Sequence, residues 1–455
     1  MSEYAGKSVA VIGLGRAGIG MAKTLRALGA TVLAVDQKSA DHPATLAAAD
    51  QLSGLGIEVA TSWTGDLDWD QLDVVCPSPG VPKSHPTLLS AVQRGIPMHS
   101  EIEVAYRISK APIIAITGTN GKSTVTALTW HILNSQGVRA TLCGNIAGSG
   151  FEEHVITTAA LHATPDEVLV AEVSSFQLEW VTEFRPRAAT IVQIRPDHLD
   201  RYADADEYAA TKRRIFDRMS TGDTIVVHSE RPETHPERSS AATSVAINGE
   251  RCDALLEPNR LLFIDTAVEI DRASLWFPSA YNLEDCAFAT LLARPFGSDD
   301  RQAAEAIATF QGLQNRMERV GEINGAIYFN NSMCTNPTAV ESSLAAIEAP
   351  ILLLAGGVSK VDDLSPLTRI SPKIKRAFLF GRDADALKGA LEAGGCPCES
   401  VGNMKSALSA ASAAASSGDY VILAPGCASF DQFESFIERG DKFRELVRGQ
   451  LVAKA

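Results

Sequence analysis

The sequence predicts an α/β protein of three domains. Three observations carry that expectation: short apolar runs alternate with alanine-rich helical stretches, glycine-rich loops follow two of the runs, and 455 residues exceed what one hydrophobic core organises. Residues 8–13 form the first expected strand, followed by a helix from residue 18, a strand over 31–36 and a later one over 73–76, within a domain spanning 1–110. Residues 112–117 open a second sheet, where the strand runs into a glycine-rich loop and a helix through His131. Further strands over 168–173 and 189–194 complete a central domain of 111–312. The irregular polar stretch 230–271, with a β-like piece at 261–265, is expected to extend that sheet in antiparallel fashion. Strands over 327–330, 351–355, 377–380 and 420–424 build a third domain, 313–455, whose alanine- and serine-rich tract 406–417 reads as a helix.

Composition narrows the function classes. A formal net charge of -14 argues against a broad basic face for nucleic acid or anionic membrane. No apolar run reaches the roughly 18 to 20 residues a membrane helix needs, so a cytoplasmic protein is expected. The eight cysteines are scattered, with Cys396 and Cys398 too close for zinc or redox spacing; all are read as reduced, Cys143 is placed in a turn, and none is a nucleophile candidate.

Gly118, Thr119, Asn120, Gly121, Lys122, Ser123 and Thr124 stand between a strand and a helix, where backbone N–H groups and the helix N-terminus surround phosphate oxygens. Lys122 would neutralise β/γ charge, and the Ser123 hydroxyl suits Mg²⁺. Two residues separate Gly118 from Gly121, where the common P-loop pattern has four. Gly13-Leu14-Gly15-Arg16-Ala17-Gly18, with Asp36 ending the next strand, matches the Rossmann fingerprint. That pattern serves NAD, another diphosphate ligand or tight strand–helix packing alike, and leaves the three open.

These two loops, taken with Gly144-Asn145-Ile146, Glu172-Val173-Ser174-Ser175-Phe176-Gln177-Leu178-Glu179 and Asp197-His198-Leu199-Asp200-Arg201-Tyr202, resemble the Mur ligases of peptidoglycan synthesis. Ser78-Pro79-Gly80 and the run Ala428-Ser429-Phe430-Asp431-Gln432-Phe433-Glu434-Ser435-Phe436 resemble the branch that adds D-glutamate, so the likeness spans all three domains. The resemblance implies Rossmann-like outer domains and a central P-loop ATPase-like domain with a mostly parallel sheet. It implies an ATP-dependent ligase that phosphorylates the carboxylate of UDP-N-acetylmuramoyl-L-alanine and couples it to D-glutamate. A free carboxylate is a poor acylating agent, and phosphorylation makes its oxygen a leaving group, so the chemistry calls for metal ions and lysines rather than a protein nucleophile.

The same resemblance distributes roles. Lys122, Glu172, His198 and Lys212 take the catalytic positions, and Ser123, Glu172, His198 and Lys212 the metal positions, with two Mg²⁺ ions and a carbamylated Lys212. The pattern alone places Lys212 on the surface of a helix over 207–218. Besides the loop from Gly118 to Thr124, Asn282, Arg316 and Asn331 match ATP contacts. Arg16, Ala17, Gly18, Asp36, Gln37, Lys38, Ser78, Gly80 and Asn145 match contacts to the UDP substrate, and Thr335, Lys360, Ser429 and Phe436 to the amino acid. For Glu172, Thr335 and Ser429 the plainer role is helix capping, and for Asn145 a turn. The implied protein is a monomer that binds no nucleic acid and inserts in no membrane.

Several positions depart from the family pattern. Asn331 stands for an acid that holds the nucleotide ribose and Met333 for a lysine, while Tyr281, Asp285 and Gln193 replace His, Asn and Asn. Three rivals remain, beginning with a ligase adding L-glutamate or another amino acid to the same acceptor and an NAD-dependent oxidoreductase, which leaves residues 118–124 without a purpose. A nucleotide-binding regulator would leave Lys360, Ser429 and Phe436 without one.

Overall fold

The computed structural model describes residues 2–39, 41–65, 67–237, 241–345 and 347–454. Three sheets of four, nine and six strands match the expected three-domain α/β class. The described chain forms two compact units, the first comprising Met1–Ala147, Phe151–Ile270 and Glu284–Ile307, the second Gly148–Gly150, Asp271–Leu283 and Ala308–Ala455.

In the first unit, the four-stranded sheet has Ser8–Ile12 at its centre, paired in parallel with Thr31–Val35 and Val74–Pro77. These strands are buried on both faces, which explains their near-continuous apolar runs. The following helix is Arg16–Ala27, two residues earlier than expected. Gly18 therefore lies inside its first turn, where a Cβ would sit 1.9 Å from the Gly13 carbonyl oxygen. Gly18→Ala is therefore expected to destabilise the first unit by about 1–3 kcal/mol, as overpacking does; an unchanged thermal midpoint in calorimetry would contradict this packing account.

The nine-stranded sheet, also in the first unit, centres on Ile113–Thr117, which pairs in parallel with Glu167–Glu172 and Ala188–Ile191. The last of these ends three residues before the expected residue 194, leaving Val192, Gln193 and Ile194 as loop. Arg139–Gly144 forms an edge strand the sequence did not announce, and Cys143 lies in it, fully buried, rather than in a turn. Its polar-facing residues Arg139 and Thr141 break the apolar run that would have marked it.

The expected antiparallel extension is antiparallel only in part. Thr243–Ile247 joins Thr224–His228 in parallel, and the direction reverses where Ala254–Leu256 meets Arg260–Phe263. The helix expected over 207–218 runs as Ala205–Arg213 and tightens into a 3₁₀ turn at Arg214–Phe216.

In the second unit, Ala326–Asn330, Tyr420–Leu423 and Ile351–Gly356 are parallel neighbours. Glu318–Ile323 pairs antiparallel at one edge and Cys398–Gly402 in parallel at the other. The tract expected as a helix is one, Met404–Ala414. Among the described residues no helix is long and apolar enough to cross a membrane.

Candidate active site

Nearly every candidate follows the C-terminal end of a parallel strand, where loops meet helix N-termini in open α/β sheets. In the four-stranded sheet, Arg16 to Gly18, Asp36 to Lys38 and Ser78 to Gly80 leave three neighbouring strands. Asp36 gives one carboxylate oxygen to Leu14 N at 2.7 Å and the other to Lys38 N at 2.8 Å, so it ties two of these loops together. Arg16 reaches Ile146 O at 2.8 Å, bringing it beside Asn145. The helix behind this loop is capped by Gly15, with no side chain competing for its first N–H groups.

The central loop is built around Gly121, whose φ of 82° places it in the left-handed region as the N-cap of helix Lys122–Ser135. Lys122 Nζ donates to Gly118 O at 2.8 Å and Thr119 O at 3.0 Å. Lys212 Nζ donates to the same Gly118 oxygen at 3.0 Å, and to Thr117 Oγ1 at 3.3 Å. Lys212 is no surface lysine: it is 1% exposed, and its ammonium lies 4.7 Å from the centre of the Tyr208 ring. Burial, then the nearby Lys122 cation, pushes the Lys212 amine well below the ordinary lysine value, while Asp197 and Glu172 pull the other way.

Glu172 closes its strand opposite Ile116, two residues before the loop. Its Oε1 accepts from Asn145 Nδ2 at 2.8 Å, whereas Oε2 is buried without a hydrogen-bond partner among the described residues. It caps no helix. That task falls to Ser174, whose side chain accepts from Gln177 N in a capping box. A buried carboxylate oxygen without a donor is costly unless a cation or donor meets it. The unpartnered carboxylate oxygen is the kind of hard oxygen donor that suits Mg²⁺, which takes few protein ligands beside phosphates and water. Among the described residues no group of three or more His, Cys, Asp or Glu side chains is placed to hold a metal ion.

His198 lies in a loop with φ of 54°, uncommon for a residue with a side chain. Its ring packs 4.8 Å from the Phe176 ring and 6.2 Å from that of Tyr208. Tyr208 thus stands between His198 and Lys212, and its hydroxyl lies 3.2 Å from Thr119 Oγ1. Sequence reasoning missed Tyr208, although it is four residues before Lys212 on one helix face. Gln193, in place of the family's asparagine, receives Thr119 N on its carbonyl at 2.7 Å and Asn120 Nδ2 on its side chain at 3.4 Å.

In the second unit, Thr335, Ser429 and Lys360 follow three neighbouring strands. Val358 and Ala428 exchange two backbone hydrogen bonds of 2.8 Å, holding the loops of Lys360 and Ser429 side by side. Lys360 Nζ lies 5.9 Å from the centre of the exposed Phe430 ring. Thr335 caps no helix, since Asn336 does so for Pro337–Leu344. Phe436 begins the last helix, Phe436–Lys454, and its carbonyl accepts from Ser332 Oγ. One turn on, the fully buried Arg439 donates to Ser332 Oγ and O at 3.0 and 2.9 Å and to Cys427 O at 3.1 Å, gathering the loops beneath the candidate amino-acid pocket.

The ATP candidates Asn282, Arg316 and Asn331 belong to this second unit. Asn282 donates to Phe277 O at 2.8 Å. Asn331 accepts from Met317 N at 3.3 Å, so the amide that replaces the family's acid has an internal partner. Met333, in place of a lysine, presents its sulfur to Arg316 Nη2 at 3.0 Å.

Three family models match in sequence order: the MurD-like N-terminal domain of Mur ligases over residues 7–100, the Mur ligase middle domain over 116–258 and the Mur ligase glutamate ligase domain over 315–427. The chain is 34% identical to the UDP-N-acetylmuramoylalanine--D-glutamate ligase of Pelotomaculum thermopropionicum, across 98% of both chains. It is 34% identical to the enzyme of the same name from Geobacillus kaustophilus, again across 98% of each. Among solved structures, its fold is similar to UDP-N-acetylmuramate-alanine ligase MurC of Thermotoga maritima, with a TM-score of 0.59 at 17% identity over 98% of this chain and 100% of that one. MurF of Acinetobacter baumannii gives 0.58 at 15% identity over 98% and 93%. With its ordered strand-end loops and full-length relatives of this kind, the chain belongs to the Mur ligase family.

Proposed function

We propose that this protein is an ATP-dependent amide ligase of peptidoglycan precursor synthesis that joins D-glutamate to UDP-N-acetylmuramoyl-L-alanine, with release of ADP and phosphate. The full-length relatives bearing that name support the substrates, and the Mur ligase domains support ATP and Mg²⁺ dependence. The observation that carries the reading to the atoms is the meeting of Lys122 and Lys212 on one loop carbonyl, with the unpartnered oxygen of Glu172 close by.

In this reading residues 1–110 bind the UDP moiety, 111–312 the triphosphate and 313–455 the amino acid. Amide groups of residues 118–124 and the helix N-terminus cradle the β- and γ-phosphates, and Lys122 turns from the loop carbonyls to the phosphate oxygens. Ser123, Glu172, His198 and a carbamylated Lys212 would hold Mg²⁺, two ions in the family pattern, whose chemistry is to neutralise triphosphate charge. The acceptor carboxylate, steered by Asn145, takes the γ-phosphoryl group, and the amine of glutamate attacks the acyl phosphate. Lys360, Thr335, Ser429 and the Phe436 backbone hold the two glutamate carboxylates. An oxidoreductase has no use for the central loop and is not favoured.

The test is phosphate release with ATP, Mg²⁺, UDP-N-acetylmuramoyl-L-alanine and each amino acid in turn. D-Glutamate is expected to support turnover alone. Release driven by L-glutamate instead would correct the stereochemistry, and release indifferent to the amino acid would reject the ligase reading.

A further inference from the structure

Arg201 belongs to the Asp197-to-Tyr202 motif, yet neither phosphate chemistry nor metal binding gives it a task. Its guanidinium is mostly buried and spends three N–H groups on two partners in different parts of the first unit. Nε donates to Glu179 Oε1 at 2.8 Å, and Nη2 donates both to Glu179 Oε2 at 2.6 Å and to Val81 O at 2.8 Å. The plane of the group lies over the Phe176 ring, 4.0 Å from its centre, and the His198 ring packs against Phe176 in turn. Glu179 is held from the other side by Tyr202 OH at 2.9 Å. The backbone joins in, because Arg201 N and Tyr202 N both donate to the His198 carbonyl, at 2.9 and 3.1 Å. These bonds hold His198 in its left-handed conformation, a strained state that persists only where surroundings enforce it.

Val81 closes the turn that begins at Ser78, its N–H donating to the Ser78 carbonyl at 2.9 Å, so the same guanidinium touches the candidate acceptor loop and the support of His198. Lys83 makes a second tie between these segments: its ammonium meets Glu207 Oε1 at 3.1 Å and lies 5.3 Å from the centre of the Tyr202 ring. A planar fork is needed at position 201, since one lysine cannot bridge a carboxylate with two bonds, reach a carbonyl and stack on a ring at once.

We propose that Arg201, seconded by Lys83, is a positioning residue that couples occupancy of the Ser78-to-Val81 loop to the placement of His198. The proposal rests on the reading of that loop as the acceptor site. Acceptor binding thereby readies the phosphate end before ATP chemistry begins, so that the phosphoryl group is delivered to a bound carboxylate and not to water.

The experiment follows backbone amide hydrogen exchange at residues 197–202 in the full-length protein, with and without UDP-N-acetylmuramoyl-L-alanine and in the absence of ATP and Mg²⁺. Calorimetry run alongside reports acceptor binding. In the unaltered protein the acceptor is expected to slow exchange at the Arg201 and Tyr202 amides. In Arg201→Lys the acceptor still binds but the slowing vanishes, and kcat falls more than the acceptor KM rises. Lys83→Met, whose side chain is partly exposed and less disruptive to remove, is expected to lose part of the slowing, and carries the test should Arg201→Lys not fold. Slowing retained in the folded variants, or absent from the unaltered protein while acceptor is bound, overturns the coupling. Absence of acceptor binding to the unaltered protein is a distinct result that overturns the acceptor-loop reading and the coupling with it.

Discussion

Lys122→Ala is expected to lower amino-acid-dependent phosphate release by about 10²- to 10³-fold, the scale on which loss of one preorganised charge stabiliser is felt. The side chain starts on two carbonyls of its own loop, Gly118 O and Thr119 O. Removing it frees those oxygens and deletes the cation that would follow the γ-phosphoryl group. The helix behind it keeps its N-cap glycine and its apolar face, in which Val125, Leu128, Ile132 and Leu133 are all fully buried, so the thermal midpoint should hold. Turnover at the unaltered rate in a folded Lys122→Ala protein would remove the phosphate role from this loop.

Lys212 carries the second large effect, and here function and stability pull apart. Lys212→Ala is expected to lose turnover, with partial recovery on addition of a short carboxylic acid that lends the oxygen a carbamate would supply. No recovery would mark Lys212 as an ordinary amine. The buried amine, favoured uncharged, is the nucleophilic form that CO₂ needs. Its cost is visible in pH. The unfolded chain holds the lysine proton up to the ordinary value of 10.5, while the folded chain releases it well below. Between those two values the unfolded state binds more protons, so stability rises with pH across that window. Lys212→Met should abolish this rise and match or exceed the parent's thermal midpoint at neutral pH, measured by calorimetry without bicarbonate. A pH slope equal to that of the parent would place the titration elsewhere.

The sheets were legible because strands buried on both faces are written as unbroken apolar runs, as at residues 113–117 and 351–356. Where the pattern failed, a specific contact decided. Arg139–Gly144 is an edge strand with polar members, and Glu318–Ile323 pairs at the rim of its sheet with only part of its length buried. In the site, glycines and the Gly-Lys-Ser run were readable because backbone geometry and charge are local properties of a loop. Tyr208 was not, and of Arg201 and Glu179 only the motifs were readable and not their partnership, since it joins residues far apart in the chain. The inward aim of Lys212 was hidden for the same reason: a nearly polar helix, Ala205–Arg213, gives no sign that one lysine points at the Gly118 carbonyl.

The grip of Arg439 has a consequence for the end of the chain. A cation sealed from water against a hydroxyl and carbonyl oxygens is pushed by burial down to about 10, and it stays put because the carbonyls of Ser332, Gly356 and Cys427, on three separate turns, converge on it. The last helix, 19 residues long, is thereby a bolt between the turns at Ser332, Gly356 and Cys427 rather than a tail. A protein shortened ahead of residue 439 would keep every residue from Thr335 to Ser429, yet the three turns would have nothing to close upon.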